Sequence, residues 1–367
     1  MNNWLRTTAI IALMLALNGC WLPPFLGGGT SKPPAPPVLP AAIVYCESGP
    51  YAYGPDGSHE AQAPAYLNEL AQSRTTHPCV AMQSSGDLKY YNYIQSLKSV
   101  PGVRGIIRTT ERQWDFGLKK SEADTVNFAG IMLSWHSPQE PGEWVQQYVD
   151  ALQSEGVGLL FDVEYPIWDT KKAYPHTEDD KELAKVWGYD LDNPNMYIEF
   201  RCRQIATIVR LIYLMVKTKY PQYTMCIVYS GYPGADYFGR TVQEQYGCDW
   251  GLMFDPKLSW PGAGRLPPIT HAVCGHNSLI LPPAVRAAIM DFPGPILHMI
   301  NLFGTEPADQ LEAWYHEQIQ DRLSLLRHGR GDGLARFPLG ELWQVSAADL
   351  MVNRVLAEEV KKLEQRQ

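Results

Sequence analysis

Val157-Gly158-Leu159-Leu160-Phe161-Asp162-Val163-Glu164-Tyr165-Pro166 is the stretch that decides the fold. Residues 157–161 are apolar at odd and even positions alike, Gly158 apart. That is the pattern of a parallel strand covered on both faces. The run then breaks into two acids one residue apart and stops at a proline. In a strand, residues i and i+2 share a face, so Asp162 and Glu164 point the same way, with Cα atoms about 6.6 Å apart. Two carboxylates at the end of an apolar run are costly unless they are paired or open to a polar cleft. The run therefore reads as a strand whose C-terminal end opens on a cleft.

Working outward, similar strand-like runs occur at 42–46, 105–108, 130–135, 158–164, 225–229, 251–255, 296–302 and 341–345, and 79–82 is ambiguous. Between them lie helix-like segments at 60–72, 88–99, 143–154, 196–218, 234–246, 283–291, 307–327 and 347–365. Pro141-Gly142-Glu143 and Pro307-Ala308-Asp309 carry helix-start chemistry, and Glu155-Gly156 carries a stop. Repeated β-then-α over this length predicts βαβ units and a parallel sheet. About eight such units predict a (β/α)8 TIM-like barrel as one domain over residues 41–367. An open doubly wound sheet is the second arrangement. No Gly-x-Gly-x-x-Gly or P-loop follows the first run, which argues against a nucleotide site and any cofactor. No Gly-x-Ser-x-Gly elbow supports an ester hydrolase.

The 367 residues are 45% hydrophobic and 19% charged, which excludes a disordered or collagen-like chain. The net charge of −8, with no basic stripe, argues against nucleic acid as a partner. Trp and Tyr (11 and 20) outnumber Phe (10), and their polar handles suit apolar-faced wet surfaces such as sugar sites. His271-x-x-Cys274-x-His276 places three donors close together but lacks a fourth, so no metal site is assigned. Glu178-Asp179-Asp180 lacks the spacing of a calcium loop and reads as a solvated helix start. Beyond Cys20 the cysteines number six, which permits disulfides: Cys46 with Cys79 and Cys248 with Cys274 are local pairs. Cys226 lies in an apolar run that also suits a buried thiol.

Residues 1–19 read as an export signal, with Arg6 ahead of an apolar core over 9–17. The core ends in Leu17-Asn18-Gly19-Cys20, which resembles the bacterial lipobox. The resemblance implies cleavage after Gly19, acylation of Cys20 with palmitate-type chains, and anchoring of the protein to a bacterial membrane in the cell envelope. Residues 20–40 are Gly-rich and then Pro-rich, the composition of a tether.

Polar and aromatic side chains recur where the runs end. Glu47, Trp135, His136, Tyr165, Tyr229, Asp255, Asn301 and Trp343 are the candidate substrate-binding residues. Residues 161–166 resemble the fourth-strand signature of the chitinase family, and hyaluronidases and Asp-x-Glu muramidases carry similar carboxylate pairs. Met253-Phe254-Asp255 resembles the sixth-strand Met-x-Tyr-Asp pattern of that family, with Phe254 in place of Tyr. Leu160 stands where the family has a further Asp, and Trp343 corresponds to an eighth-strand Trp. The resemblance implies Glu164 as general acid and Asp162 as the group that orients a substrate N-acetyl nucleophile. For a substrate without that group, Asp162, Asp255 or Glu47 is the nucleophile or base, according to their separation. Trp135, Trp168, Trp260 and Trp343 are candidate sugar platforms. The expected activity is that of an envelope-anchored glycoside hydrolase. The departures from the family pattern favour the alternative, a non-catalytic barrel lipoprotein that binds glycan or scaffolds the envelope.

Overall fold

The computed structural model describes residues 42–47, 63–81, 95–109, 128–135, 149, 156–163, 177–234, 239–276, 278–300, 308–336 and 347–364. The proposed signal and tether lie outside them. The first five strands are β1 (Ala42–Glu47), β2 (His77–Ala81), β3 (Ile107–Thr109), β4 (Gly158–Asp162) and β5 (Met225–Gly231). A short antiparallel ribbon follows, made of β6 (Ser259–Trp260) and β7 (Gly264–Arg265). Then come β8 (His271–Gly275), β9 (Ile296–Ile300) and β10 (Gly333–Arg336). Without the ribbon, the strands form a closed parallel barrel in the order β1-β10-β9-β8-β5-β4-β3-β2, and β1 pairs with both β10 and β2.

Helices separate the strands along the chain. They are α1 (Ala63–Gln72), α2 (Phe128–Leu133), α3 (Glu178–Trp187), α4 (Pro194–Lys219), α5 (Val242–Tyr246), α6 (Trp250–Phe254), α7 (Pro283–Met290), α8 (Ala308–Arg327) and α9 (Ala347–Glu364). Their starts follow local chemistry. Thr177 and Thr241 each accept from the backbone N–H three residues on, while Asp180 and Glu244 reach back to the capping residue's N–H, which satisfies two orphan donors per helix. Asn193 caps α4 ahead of Pro194. No described helix is long and apolar enough to cross a membrane.

Alternation sorts the strand residues into two layers. Cys79, Ile107, Leu160, Ile227, Tyr229, Val273, Leu297, Met299 and Ala335 fill the barrel. Their neighbours Leu159, Phe161, Cys226, Val228, Ala272 and Cys274 pack outward with Phe200, Ile208, Leu211 and Ile212 of α4. Burying the last three of these α4 side chains contributes roughly 1.5–3 kcal/mol each.

Several expectations need correction. Residues 130–135 are not a strand, since α2 ends there, with Phe128, Ala129 and Met132 buried at helical spacing. Residues 251–254 of the expected 251–255 run are also helical, because Asp249 accepts from Leu252 N–H and starts α6, and Asp255 is the extended residue that ends it. The sixth barrel strand is β8 and the eighth is β10; residues 341–345 lie outside the described set. Residues 79–81 of the ambiguous 79–82 run belong to β2. The expected disulfides do not form: Cys79, Cys248 and Cys274 are free and buried, as are Cys202 and Cys226. Burial pushes the Cys248 and Cys274 thiols well up, which suppresses the thiolate that exchange requires.

One buried histidine ties three segments together. His298 of β9 is fully buried. Its Nε2–H donates to the Arg330 carbonyl, so Nδ1 accepts from the Tyr232 hydroxyl at 2.8 Å. Gly331, at φ 136°, passes so close that a Cβ there would lie 2.5 Å from Nε2. Burial lowers the His298 pKa to about 4, from 6.5. Below pH 6.5 the unfolded chain therefore binds a proton that the folded chain refuses, and stability falls until the pH passes the folded value. Urea unfolding should show wild type losing about 2–3 kcal/mol between pH 7.5 and 4.5 that His298→Gln, less stable at pH 7.5, does not lose. Parallel pH profiles would refute this assignment.

Candidate functional site at the C-terminal rim

Leu160 lies in the barrel interior with Ile227 and Tyr229. Asp162, two residues on and half-buried, therefore stands on the inner face at the C-terminal end of β4. Its register partner on β5 is Tyr229. The exit of β4 is pinned just beyond: Val163 N–H donates to the Tyr229 carbonyl at 2.9 Å, and the Ser230 hydroxyl donates to the Val163 carbonyl at 2.8 Å. Glu164 follows immediately but lies outside the described residues, as do His136, Tyr165, Trp168, Asn301 and Trp343.

The phenol of Tyr229 crosses from β5 over β8. A Cβ built on Gly275 would meet the Tyr229 hydroxyl at 2.9 Å and the Met299 sulfur at 3.0 Å. The inner rim over β4, β5, β8 and β9 is thus Asp162, Tyr229, Gly275 and Met299. A carboxylate accepts hydrogen bonds, so Asp162 is suited to orienting a donor at the mouth or to holding charge opposite a developing cation. Tyr229 was expected here; Gly275 and Met299 were not, and only the packing over Gly275 reveals them.

Other candidates fall elsewhere. Glu47 ends β1, in register with Val80 of β2. Trp135 is 4% exposed and Trp260 is 7% exposed, both within the outer core. Trp260 meets Trp187 edge-on at 6.0 Å. Neither offers the open face of a sugar platform. Asp255 belongs to the opposite end of the barrel. Met253 accepts from Ile269 N–H, two residues before β8 starts. Phe254 packs on Gly294, two residues before β9 starts. Asp255 itself accepts from Lys257 N–H at 2.8 Å. It therefore does not join Asp162, and the sixth-strand likeness fails because that segment is helical. His271, Cys274 and His276 do not converge either. Strand alternation turns His271 inward with Val273 and turns Cys274 outward. No three metal donors gather among the described residues.

The contact between Tyr229 and Gly275 is testable. Gly275→Ala should displace the phenol or its neighbour and destabilise by about 1–3 kcal/mol, the usual range for overpacking. Gly275→Ala combined with Tyr229→Phe should recover part of that loss, because the nearest atom to the new methyl is the hydroxyl. Additive losses in thermal unfolding would disprove the contact.

No family model matches the chain, and no curated protein matches it. Solved structures do. The PgaB (BpsB) glycoside hydrolase domain from Bordetella bronchiseptica aligns over 88% of this chain and 98% of its own, at 11% identity and TM-score 0.56. Alpha-L-fucosidase isoenzyme 2 from Paenibacillus thiaminolyticus aligns over 89% of this chain and 50% of its own, at 13% identity and TM-score 0.50. A beta-mannanase from the blue mussel Mytilus edulis aligns over 86% and 91%, at 11% identity and TM-score 0.46. At these identities the likeness establishes the fold alone. The chain is an α/β barrel of the architecture on which the Bordetella glycoside hydrolase domain is built.

Proposed function

We propose that this protein is a glycoside hydrolase that cleaves a glycan, including N-acetylhexosamine-containing chains, by carboxylate acid catalysis at the C-terminal rim. One observation carries the reading: the half-buried Asp162 ends the fourth strand on the inner face of a closed barrel, beside Tyr229. Glu164 follows two residues on in the sequence, after the pinned Val163. The fold likeness to a glycoside hydrolase domain is consistent with this reading.

In this reading Glu164 gives its proton to the glycosidic oxygen as the C1–O bond breaks. Asp162 accepts from the substrate's N-acetyl N–H, so that the acetyl oxygen forms the new bond to C1. Water then opens that ring, with Glu164 taking the water's proton back. For a substrate without the acetyl group, Asp162 would attack C1 directly. The burial of Trp135 and Trp260 favours the second reading, a barrel that binds glycan without cutting it, because two of the expected aromatic walls are core.

Glu164→Gln and Asp162→Asn should each lower kcat/KM by about 10²–10⁴-fold on a panel of N-acetylglucosamine oligomers, mannose oligomers and peptidoglycan strands. Equal activity in wild type and Glu164→Gln would exclude Glu164 as the acid. Wild type that binds the panel but cuts none of it would establish the binding reading.

We also propose that Cys20 anchors the chain to the envelope through lipid, on the strength of residues 17–20. Cells expressing the full chain should incorporate radiolabelled palmitate into it, and Cys20→Ser should abolish the label. Label retained in the variant would defeat the anchor at that residue.

A further inference from the structure

The N-terminal end of the barrel, away from Asp162, holds two imidazoles. The strands β10, β8, β4 and β2 alternate around the ring. Their inward residues Ala335, Val273, Leu160 and Cys79 make one four-residue layer. Two residues earlier on the same strands stand Gly333, His271, Gly158 and His77, the layer below it. Two of the four are glycines, so the only side chains of this layer are the two imidazoles. Gly158 does not widen it: a Cβ there would lie 2.7 Å from Ile107 Cδ1 and from Met225 Cβ, so apolar groups close that side. β2 and β8 lie opposite each other, with three strands between them on either side. The interior of an eight-stranded barrel is just wide enough for side chains to fill, so inward groups from opposite strands meet near the axis. Burial, Arg104 and then His271 lower the His77 pKa to about 4, so the two rings feel each other across that axis.

The hydrogen bonds fix where the protons of the His271 ring go. The Thr270 hydroxyl donates to the Cys226 carbonyl at 2.9 Å and accepts from Cys226 N–H at 2.9 Å. Its single proton is thus spent, so the 3.1 Å contact with His271 is an Nδ1–H donating to it. Nε2 of the neutral ring is left with its lone pair. His77 has the same arrangement, with Nδ1 at 2.8 Å from the Thr76 hydroxyl, which can accept a proton there as Thr270 does. Neither Nε2 has a hydrogen-bond partner among the described residues. Burial also lowers the His271 pKa, against the pull of the Asp332 carboxylate, so both rings are neutral near pH 7 and an ion need displace no proton. Both are half-buried, which leaves an entry path from solvent. Asp332, which accepts from Ile296 N–H at 3.1 Å, puts a negative charge at this end. Arg104 is exposed, so water screens its charge.

We infer that Nε2 of His77 and Nε2 of His271 form a site for a divalent transition ion of the zinc or copper class, with water in its remaining positions. Imidazole is a donor that suits these ions. Each ring rests its Nδ1 on a threonine hydroxyl, the kind of outer contact that orients a metal-bound imidazole. The ion ties β2 to β8 across the ring. The assignment is independent of the glycan reading, which concerns the other end of the barrel.

The test uses the full chain without an affinity tag, stripped with EDTA and titrated with Zn²⁺ by calorimetry. One ion per chain should bind, and Zn²⁺ should raise the melting temperature. His77→Gln and His271→Gln should each weaken that binding about 100-fold, the upper end of what loss of an outer contact alone costs, and should erase the rise. His328→Gln, which removes an exposed ring elsewhere, should change neither. Cu²⁺ in place of Zn²⁺ gives a reading that needs no variant: its paramagnetic resonance spectrum should show two imidazole nitrogens in the wild type. Absence of Zn²⁺ binding overturns the site. So does a Cu²⁺ spectrum with fewer than two nitrogens, or binding that either histidine variant leaves intact. If a variant unfolds in EDTA, the nitrogen count in the wild type decides.

Discussion

The two-residue alternation of parallel strands closed into a ring is the constraint on which the rest of the molecule depends. Every barrel strand must present one apolar set inward and another outward, because helices cover the outside. Leu159 and Phe161 pack outward and Leu160 packs inward. A slip of one residue would turn Asp162 into the outer core and leave Val163 at the mouth. The register is therefore held twice at that point, by the Val163 N–H on the Tyr229 carbonyl and by Ser230 on the Val163 carbonyl. The position of the carboxylate follows from packing chosen several residues earlier.

Closing a barrel leaves connections whose backbone is partly shielded from water, and this chain meets that demand with buried guanidinium groups. Arg210 of α4, fully buried, donates to the carbonyls of Leu252, Pro267 and Leu266. Arg322 does the same for the connection after β8. Arg201 instead grips Asp180 through both oxygens, at 2.9 and 3.0 Å, and joins α4 to α3. Only Arg satisfies several fixed carbonyls from one planar fork. Removing one of these forks would leave carbonyls buried and unmet, so these residues set the shape of connections that apolar packing alone would leave loose.

The strongly periodic parts of this architecture were legible in the sequence. β4, β5 and β9 read as strands, and the long amphipathic segments became α4, α8 and α9, because their apolar spacing extends over enough residues to choose a period. Short apolar runs do not choose. Residues 251–254 are as apolar as a strand, and a cap from Asp249 starts the helix that holds them. Conversely, His271–Gly275 and Gly333–Arg336 carry polar ends and glycines that disguise two barrel strands. Tryptophan content pointed toward sugar faces, yet the indoles of Trp135 and Trp260 are core, since composition does not carry exposure. Gly275 had no signal of its own, because its requirement is set by the Tyr229 side chain two strand positions away in space.

The two ends of the barrel interior differ in a way that confines the chemistry. Alternation places His77 inward with Cys79, and His271 inward with Val273, both at the N-terminal end. Each ring takes a hydrogen-bonding partner from the preceding threonine, Thr76 at 2.8 Å and Thr270 at 3.1 Å. Burial, with Arg104 and the opposing His271, lowers His77 to about 4, so its ring is neutral near pH 7. Between it and Asp162 lie Ile107, Leu160, Ile227, Val273 and Leu297, five described side chains without a hydrogen-bonding group. Those five side chains relay no proton, because apolar groups neither accept nor donate one. Asp162, which ends β4 on the inner face, is therefore reached from the C-terminal rim rather than through those five side chains from the His77 and His271 rings.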